Sequence, residues 1–209
     1  MYRARQPVFN NVPRLPLALA LSFVAVFVAQ SLFPQLTLLF YNVGAIVPAL
    51  GFGQGDRILG GWSPYIFHVF LHGGLMHLVF NSMATLTFGA GTFRPFGSGI
   101  RGGTGFLLFF FFCSIAGAAL QIAVAPDLRV PVIGASTGLS GILAAAGWAD
   151  GGYRGMLRFA LPWGAFNLLL ALMGEFSPIP ISWAGHLGGL IAGALTYPFF
   201  VAVFGSRRL

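Results

Sequence analysis

Lysine is absent from this chain, cysteine occurs once, at Cys113, and only four residues are acidic. A single cysteine inside an apolar run excludes an internal disulfide and carries no compartment signal. Charged residues make up 7% of the 209, against about a quarter in a soluble domain, so water is not the main solvent of this fold. With no lysine present, the formal charge of +7 comes from arginines in short clusters between apolar runs. That is the distribution of membrane flanks rather than of a phosphate-binding face, and it excludes nucleic acid as a partner. Low-complexity tails, fixed-period repeats and room for a second soluble domain are missing as well. What remains is one membrane domain over residues 1–209, 57% hydrophobic with a mean hydropathy of +0.85.

The apolar runs predict six spans, at 15–33, 71–93, 103–125, 132–149, 156–174 and 181–204. The first follows Arg3, Arg5 and Arg14 and is too long, at about 19 residues, for the core of a signal peptide. Between the first two spans, Gln35 to Trp62 is apolar but interrupted by Asn42, Gly44 and Pro48. It reads as a long non-spanning loop in the outer interface. Charge bias supports that reading. With six spans and a cytoplasmic N-terminus, nine arginines (3, 5, 14, 94, 101, 154, 158, 207 and 208) lie inside and two, Arg57 and Arg129, outside. A seventh span at Gln35 would move six of the nine to the outer side. Both termini are therefore expected in the cytoplasm.

Spans two, four and six then start at the outer face. His77 and Asn81 in the second, Ser136 in the fourth and His186 in the sixth fall at a common depth, roughly 5–10 Å below the surface at 1.5 Å per residue. Polar side chains inside a membrane domain mark function by default. The acids Asp56, Asp127, Asp150 and Glu175 all fall in loops, so no carboxylate is at hand to orient a histidine. A nucleophile at this level would work as a serine–histidine dyad.

The fourth span reads PVIGASTGLSGILAAAG from Pro131 to Gly147. Gly134, Gly138 and Gly141 cost a helix in water roughly 0.8–1 kcal/mol each relative to alanine. In a membrane they let backbones approach closely. Ser136 sits where loop becomes helix, beside N–H groups with no carbonyl partner in the helix. Ser140, one turn on, lies in a literal GxSG (Gly138–Gly141) and is the alternative nucleophile. Ser136 is favoured because free N–H groups at a helix start can bind an oxyanion.

HGGLMHLVFN on the second span, GAST on the fourth and WAGHLGG on the sixth resemble the rhomboid intramembrane serine proteases, as does FLLFFFFCSIAGA on the third. The resemblance implies an all-α membrane protein, a compact six-transmembrane-helix bundle with a long outer loop between spans one and two. It implies a serine endopeptidase with Ser136 as nucleophile and His186 as general base. His77 and Asn81 are implied as oxyanion donors, His72 as the histidine that precedes them, and Gly189 and Gly193 as a small-residue packing face. Thr137 departs from the second glycine of the family motif. The implied substrates are transmembrane segments of membrane proteins, cut near the outer face of a bacterial inner (plasma) membrane, with the lipid bilayer as the other partner and no cofactor. Three other readings were weighed. A catalytically inactive rhomboid-like protein that escorts membrane helices would lack the serine or the histidine. A transporter would show an inverted repeat of broken spans. A metal or haem on His68, His72, His77 and His186 would want a supporting carboxylate or cysteine. No metal site is expected. Asn167, in the fifth span, fits none of these roles, and His68 is expected in the loop.

Overall fold

In the computed structural model, residues 12–176 and 181–206 are described. Arg3, Arg5, Arg207 and Arg208, on which part of the arginine asymmetry rests, lie outside the described residues, as does the tip of the loop before the last helix. Among the described residues there is no strand, only an isolated bridge between Ile46 and Val132. The helices are α1 (Arg14–Leu32), α2 (Pro34–Gly44), α3 (Ser63–Phe67), α4 (Leu75–Phe93), α5 (Ile100–Val124), α6 (Ser136–Met173) and α7 (Trp183–Phe204). The chain is an all-α, multi-pass integral membrane protein.

α1, α5, α6 and α7 are each long and apolar enough to cross a membrane, and α4 qualifies together with the short segment before it, from which it bends by 96°. A straight helix of 38 residues would run ~57 Å, nearly twice the hydrocarbon core, so α6 cannot be one crossing. It breaks at Gly151 and at Gly152, the latter with φ +58°, a backbone setting that only glycine adopts freely. Residues 136–150 and 153–173 fold back on each other as a hairpin. Gly147 lies against Gly155, Ala144 packs with Ala160, and Trp163 bonds Ser140.

The segment expected to be an open outer loop carries a helix of its own. Pro34 starts α2 without needing a backbone donor, and at eleven residues this helix is too short to span. Beyond it the chain is tied down by two side chains. The buried Gln54 accepts from Val47 N–H (2.8 Å) and donates to the carbonyls of Val47 (3.1 Å) and Gly51 (2.6 Å). Arg57 donates to the carbonyls of Asn42 (3.1 Å), Ala45 (3.0 Å) and Gln54 (2.8 Å). This unit then docks on the approach to α6, through the Ile46–Val132 bridge and Ala49 N–H to Leu128 O at 3.0 Å. Leu50, Phe52, Ile58, Leu59 and Trp62 stay exposed on it, as an interfacial segment requires.

The core is aromatic. Phe106, Phe109 and Phe110 of α5 are buried, while Phe112 faces out. Edge-to-face pairs join α5 to its neighbours, Phe93–Phe106 at 5.3 Å and Phe109–Tyr197 at 5.4 Å, each adding about 0.5–1.5 kcal/mol beyond area burial. α7 is packed against α5 and α6 by glycines instead. Gly188 lies on Ala116 and Gly117 of α5, Gly189 on the Thr137 carbonyl and Gly193 on Gly141. Lipid cannot drive helices together through a hydrophobic effect, so such close backbone approach supplies the association. It also sets His186, one residue after Gly185, at the height of Ser136.

Candidate active site

Ser136 is the first residue of α6, and three neighbours shape its approach. Gly134 has φ +106° and donates its N–H to the carbonyl of His68 at 2.8 Å. Thr137 is buried, with its methyl group against Gly117 and Gly185 and its hydroxyl 3.2 Å from His68 Nε2. His68 Nδ1 donates to Pro64 O at 2.9 Å, so Nε2 accepts the Thr137 O–H. His68 lies in the segment between α1 and α4, as expected, but it is not an open loop position. It is fully buried in a 3₁₀ turn (His68–Phe70) and holds the chain on both sides of Ser136. Thr137, the departure from the family motif, supplies the hydroxyl for that clasp.

Ser136 Oγ lies 2.8 Å from Nε2 of His186. The start of α7 is fixed by Gln121 of α5, whose amide oxygen accepts from Ser182 Oγ (2.5 Å) and from Gly185 N–H (3.1 Å). His186 is buried, and the Trp163 ring lies over it with centroids 5.4 Å apart. Its second ring nitrogen, Nδ1, is 2.9 Å from Oδ1 of Asn167.

His77 and Asn81 reach the same place from α4. A Cβ built on Gly134 would lie 2.5 Å from His77 Nε2 and 3.7 Å from Asn81 Nδ2. Only a residue without a side chain lets the His77 ring lie this close to the segment that leads into α6. Asn81 Nδ2 donates one hydrogen to His77 O at 2.9 Å, and its second hydrogen has no partner among the described residues. His72 packs edge-on to His77 at 5.1 Å, with Nδ1 near Phe70 O. Its Nε2 is buried and has no partner among the described residues.

Ser140 sits differently. Its hydroxyl donates to Ser136 O (2.8 Å) and accepts the Trp163 indole N–H (2.9 Å). Both of its hydrogen-bonding directions are thus in use within the α6 hairpin. Among the described residues no group of three His, Cys, Asp or Glu is disposed to hold a metal. Cys113 is buried against Gly141 and is a free thiol.

The structure thus brings Ser136, His186, His77 and Asn81 together around Gly134. Sequence reasoning missed Asn167 and Trp163. The available signal was a lone amide four residues after a tryptophan in an uncharged apolar run, which puts both on one helix face.

The sequence matches the family model described as Rhomboid domain over residues 59–203. It is also 30% identical over 169 residues to "Rhomboid protease GluP" of Bacillus subtilis (strain 168), a match covering 77% of this chain and 32% of that protein. The chain therefore spans about a third of the length of the curated relative it matches.

Proposed function

The chain belongs to the rhomboid family, and on that premise we propose that it is an intramembrane serine endopeptidase. The observation that carries the reading is the 2.8 Å contact between Ser136 Oγ and His186 Nε2, at a helix start buried among apolar helices. His186 takes the Ser136 proton as the oxygen attacks a substrate peptide carbonyl, giving a tetrahedral intermediate. The negative oxygen is held beside Gly134 by His77, Asn81 and the N–H groups that begin α6, which have no carbonyl partner within the helix. His186 then returns the proton to the leaving amine, and water admitted from the outer face releases the acyl group from Ser136. Donors set in place before the reaction cost no reorganisation as charge develops. One such donor is typically worth about 2.7–4 kcal/mol of barrier.

The substrates in this reading are transmembrane segments of membrane proteins, unwound locally because a helical peptide bond is shielded by its neighbours. The domain crosses the membrane six times, with the two halves of α6 as separate crossings and both termini in the cytoplasm of a bacterial inner membrane. The test is a fluorophosphonate probe on the purified protein in detergent, with the adduct located by peptide mapping, alongside cleavage of a model transmembrane substrate. Labelling of Ser136 together with cleavage supports the reading. A folded protein that neither labels nor cleaves would be a binding or escort member of the family.

A further inference from the structure

We propose that Asn167 completes the site as a positioning residue, holding His186 in the tautomer and orientation that a general base needs. The proposal rests on the reading of Ser136 and His186 as nucleophile and base.

Two hydrogen bonds fix the amide. Asn167 is wholly buried, and its Nδ2 donates to the carbonyl of Trp163 one turn back, at 2.8 Å. Turned over, the amide would set its oxygen against that carbonyl, two acceptors facing each other in a buried place. The oxygen therefore points to His186 Nδ1, 2.9 Å away, where it can only accept. The proton of the neutral ring is thereby placed on Nδ1. Nε2 keeps its lone pair, 2.8 Å from Ser136 Oγ, which is the arrangement proton abstraction requires. The Trp163 ring lies over the imidazole at 5.4 Å, so one helix turn, Trp163 to Asn167, sets both the tilt of the ring and its rotation about χ2.

The choice of an amide follows from the setting. An aspartate would orient the ring equally well but would bring a buried charge into an apolar bundle, which is expensive. The Asn167 oxygen gives the same acceptor without that cost and still stabilises the imidazolium through its dipole. When Ser136 loses its proton to Nε2, the Nδ1–H bond to Asn167 strengthens as the ring becomes charged.

The experiment compares wild type with Asn167→Leu, which keeps the volume and removes the acceptor, and with Asn167→Asp, which keeps an acceptor. Removing the outer hydrogen-bond partner of a metal-bound histidine typically costs about 10–100-fold, and a loss at least that large is expected for a general base freed to change tautomer. Asn167→Leu should lose that much in kcat with KM little changed, and its fluorophosphonate labelling of Ser136 should slow in parallel. Asn167→Asp should recover most of the loss. Nitrogen-15 NMR of histidine-labelled wild type, with the His186 signals assigned by their loss in His186→Ala, should show a neutral ring protonated on Nδ1. A mixture of tautomers is expected in the leucine variant. Unchanged kcat in Asn167→Leu, or a wild-type ring protonated on Nε2, would overturn the proposal. Should the leucine variant fail to fold, the wild-type tautomer decides. A wild type that neither cleaves nor labels would sink the protease reading, and the tautomer would still report separately on whether Asn167 holds the ring.

Discussion

Gly141 and Gly193 meet backbone to backbone, with no space between α6 and α7 for even one methyl group. The contact lies between the serine and histidine helices, about one to two turns below both residues. Overpacking of this kind costs about 1–3 kcal/mol. Gly193→Ala should lower the thermal midpoint in detergent and reduce cleavage together, because pushing α7 outward lengthens the Ser136–His186 contact. An alanine variant with wild-type melting would show that the helices have room to part.

His186→Ala should abolish turnover of a transmembrane substrate while the protein still folds and inserts. General-base removal costs about 10²–10⁴-fold, and the other histidines are engaged elsewhere, His68 with Thr137 and Pro64, His72 against His77. Cleavage at the wild-type rate would take the protease reading away from this site.

The two serines should separate cleanly. Ser136→Ala loses cleavage and all fluorophosphonate labelling. Ser140→Ala keeps both but strands the Trp163 N–H, a half-buried donor whose loss of partner costs at most about 1–3 kcal/mol. It should therefore melt earlier at nearly full activity. Finding the label on Ser140 would reverse the assignment.

The outer unit hangs on Arg57, whose guanidinium gathers carbonyls from Asn42, Ala45 and Gln54. Arg57→Ala should expose residues 45–62 to limited proteolysis while leaving α4 to α7 resistant, since those helices pack on one another without it. Unaltered proteolysis would mean that the apolar contacts of Ile46 suffice.

A reporter placed between Arg94 and Arg101 should lie in the cytoplasm, and one in the 125–130 segment outside. Reporters on one side would break the six-crossing arrangement and the shared depth of Ser136, His77, Asn81 and His186.

Most of this was legible in the sequence because the signals are long or repeated. Uncharged runs of about 20 residues announce helices in a membrane, and three separate motifs announce a site. The helix boundaries show what such runs leave out. The run from Leu71 carries no Asp, Glu, Lys or Arg as far as Phe93, yet α4 begins only at Leu75, since hydropathy does not register where the backbone turns. α2 was hidden because Asn42, Gly44 and Pro48 look like breakers, although they fall at or beyond its last turn. Asn167 was passed over for a chemical reason. A carboxylate is the usual orienting group, and the contact of Asn167 with His186, 19 residues away on another helix, is not written in the local Trp163–Asn167 spacing. The burial of His68 was not legible for a similar reason, since one of its partners, Thr137, comes 69 residues later.

The acids Asp56, Asp127 and Asp150 lie in turns or at a helix end, Glu175 falls in the short turn after α6, and α4 and α7 carry no charged residue along their lengths. With an amide rather than a carboxylate beside His186, no Asp, Glu, Lys or Arg side chain stands among the described residues that surround Ser136 to answer the electric field across the bilayer. A full elementary charge carried through that field is worth about 2.3 kcal/mol per 100 mV. In the proposed transfer from Ser136 to His186, charge is separated over at most the 2.8 Å between the two atoms, about a tenth of the hydrocarbon thickness and therefore ~0.2 kcal/mol per 100 mV at most. Turnover in sealed vesicles should accordingly be the same whether the membrane is energised or depolarised.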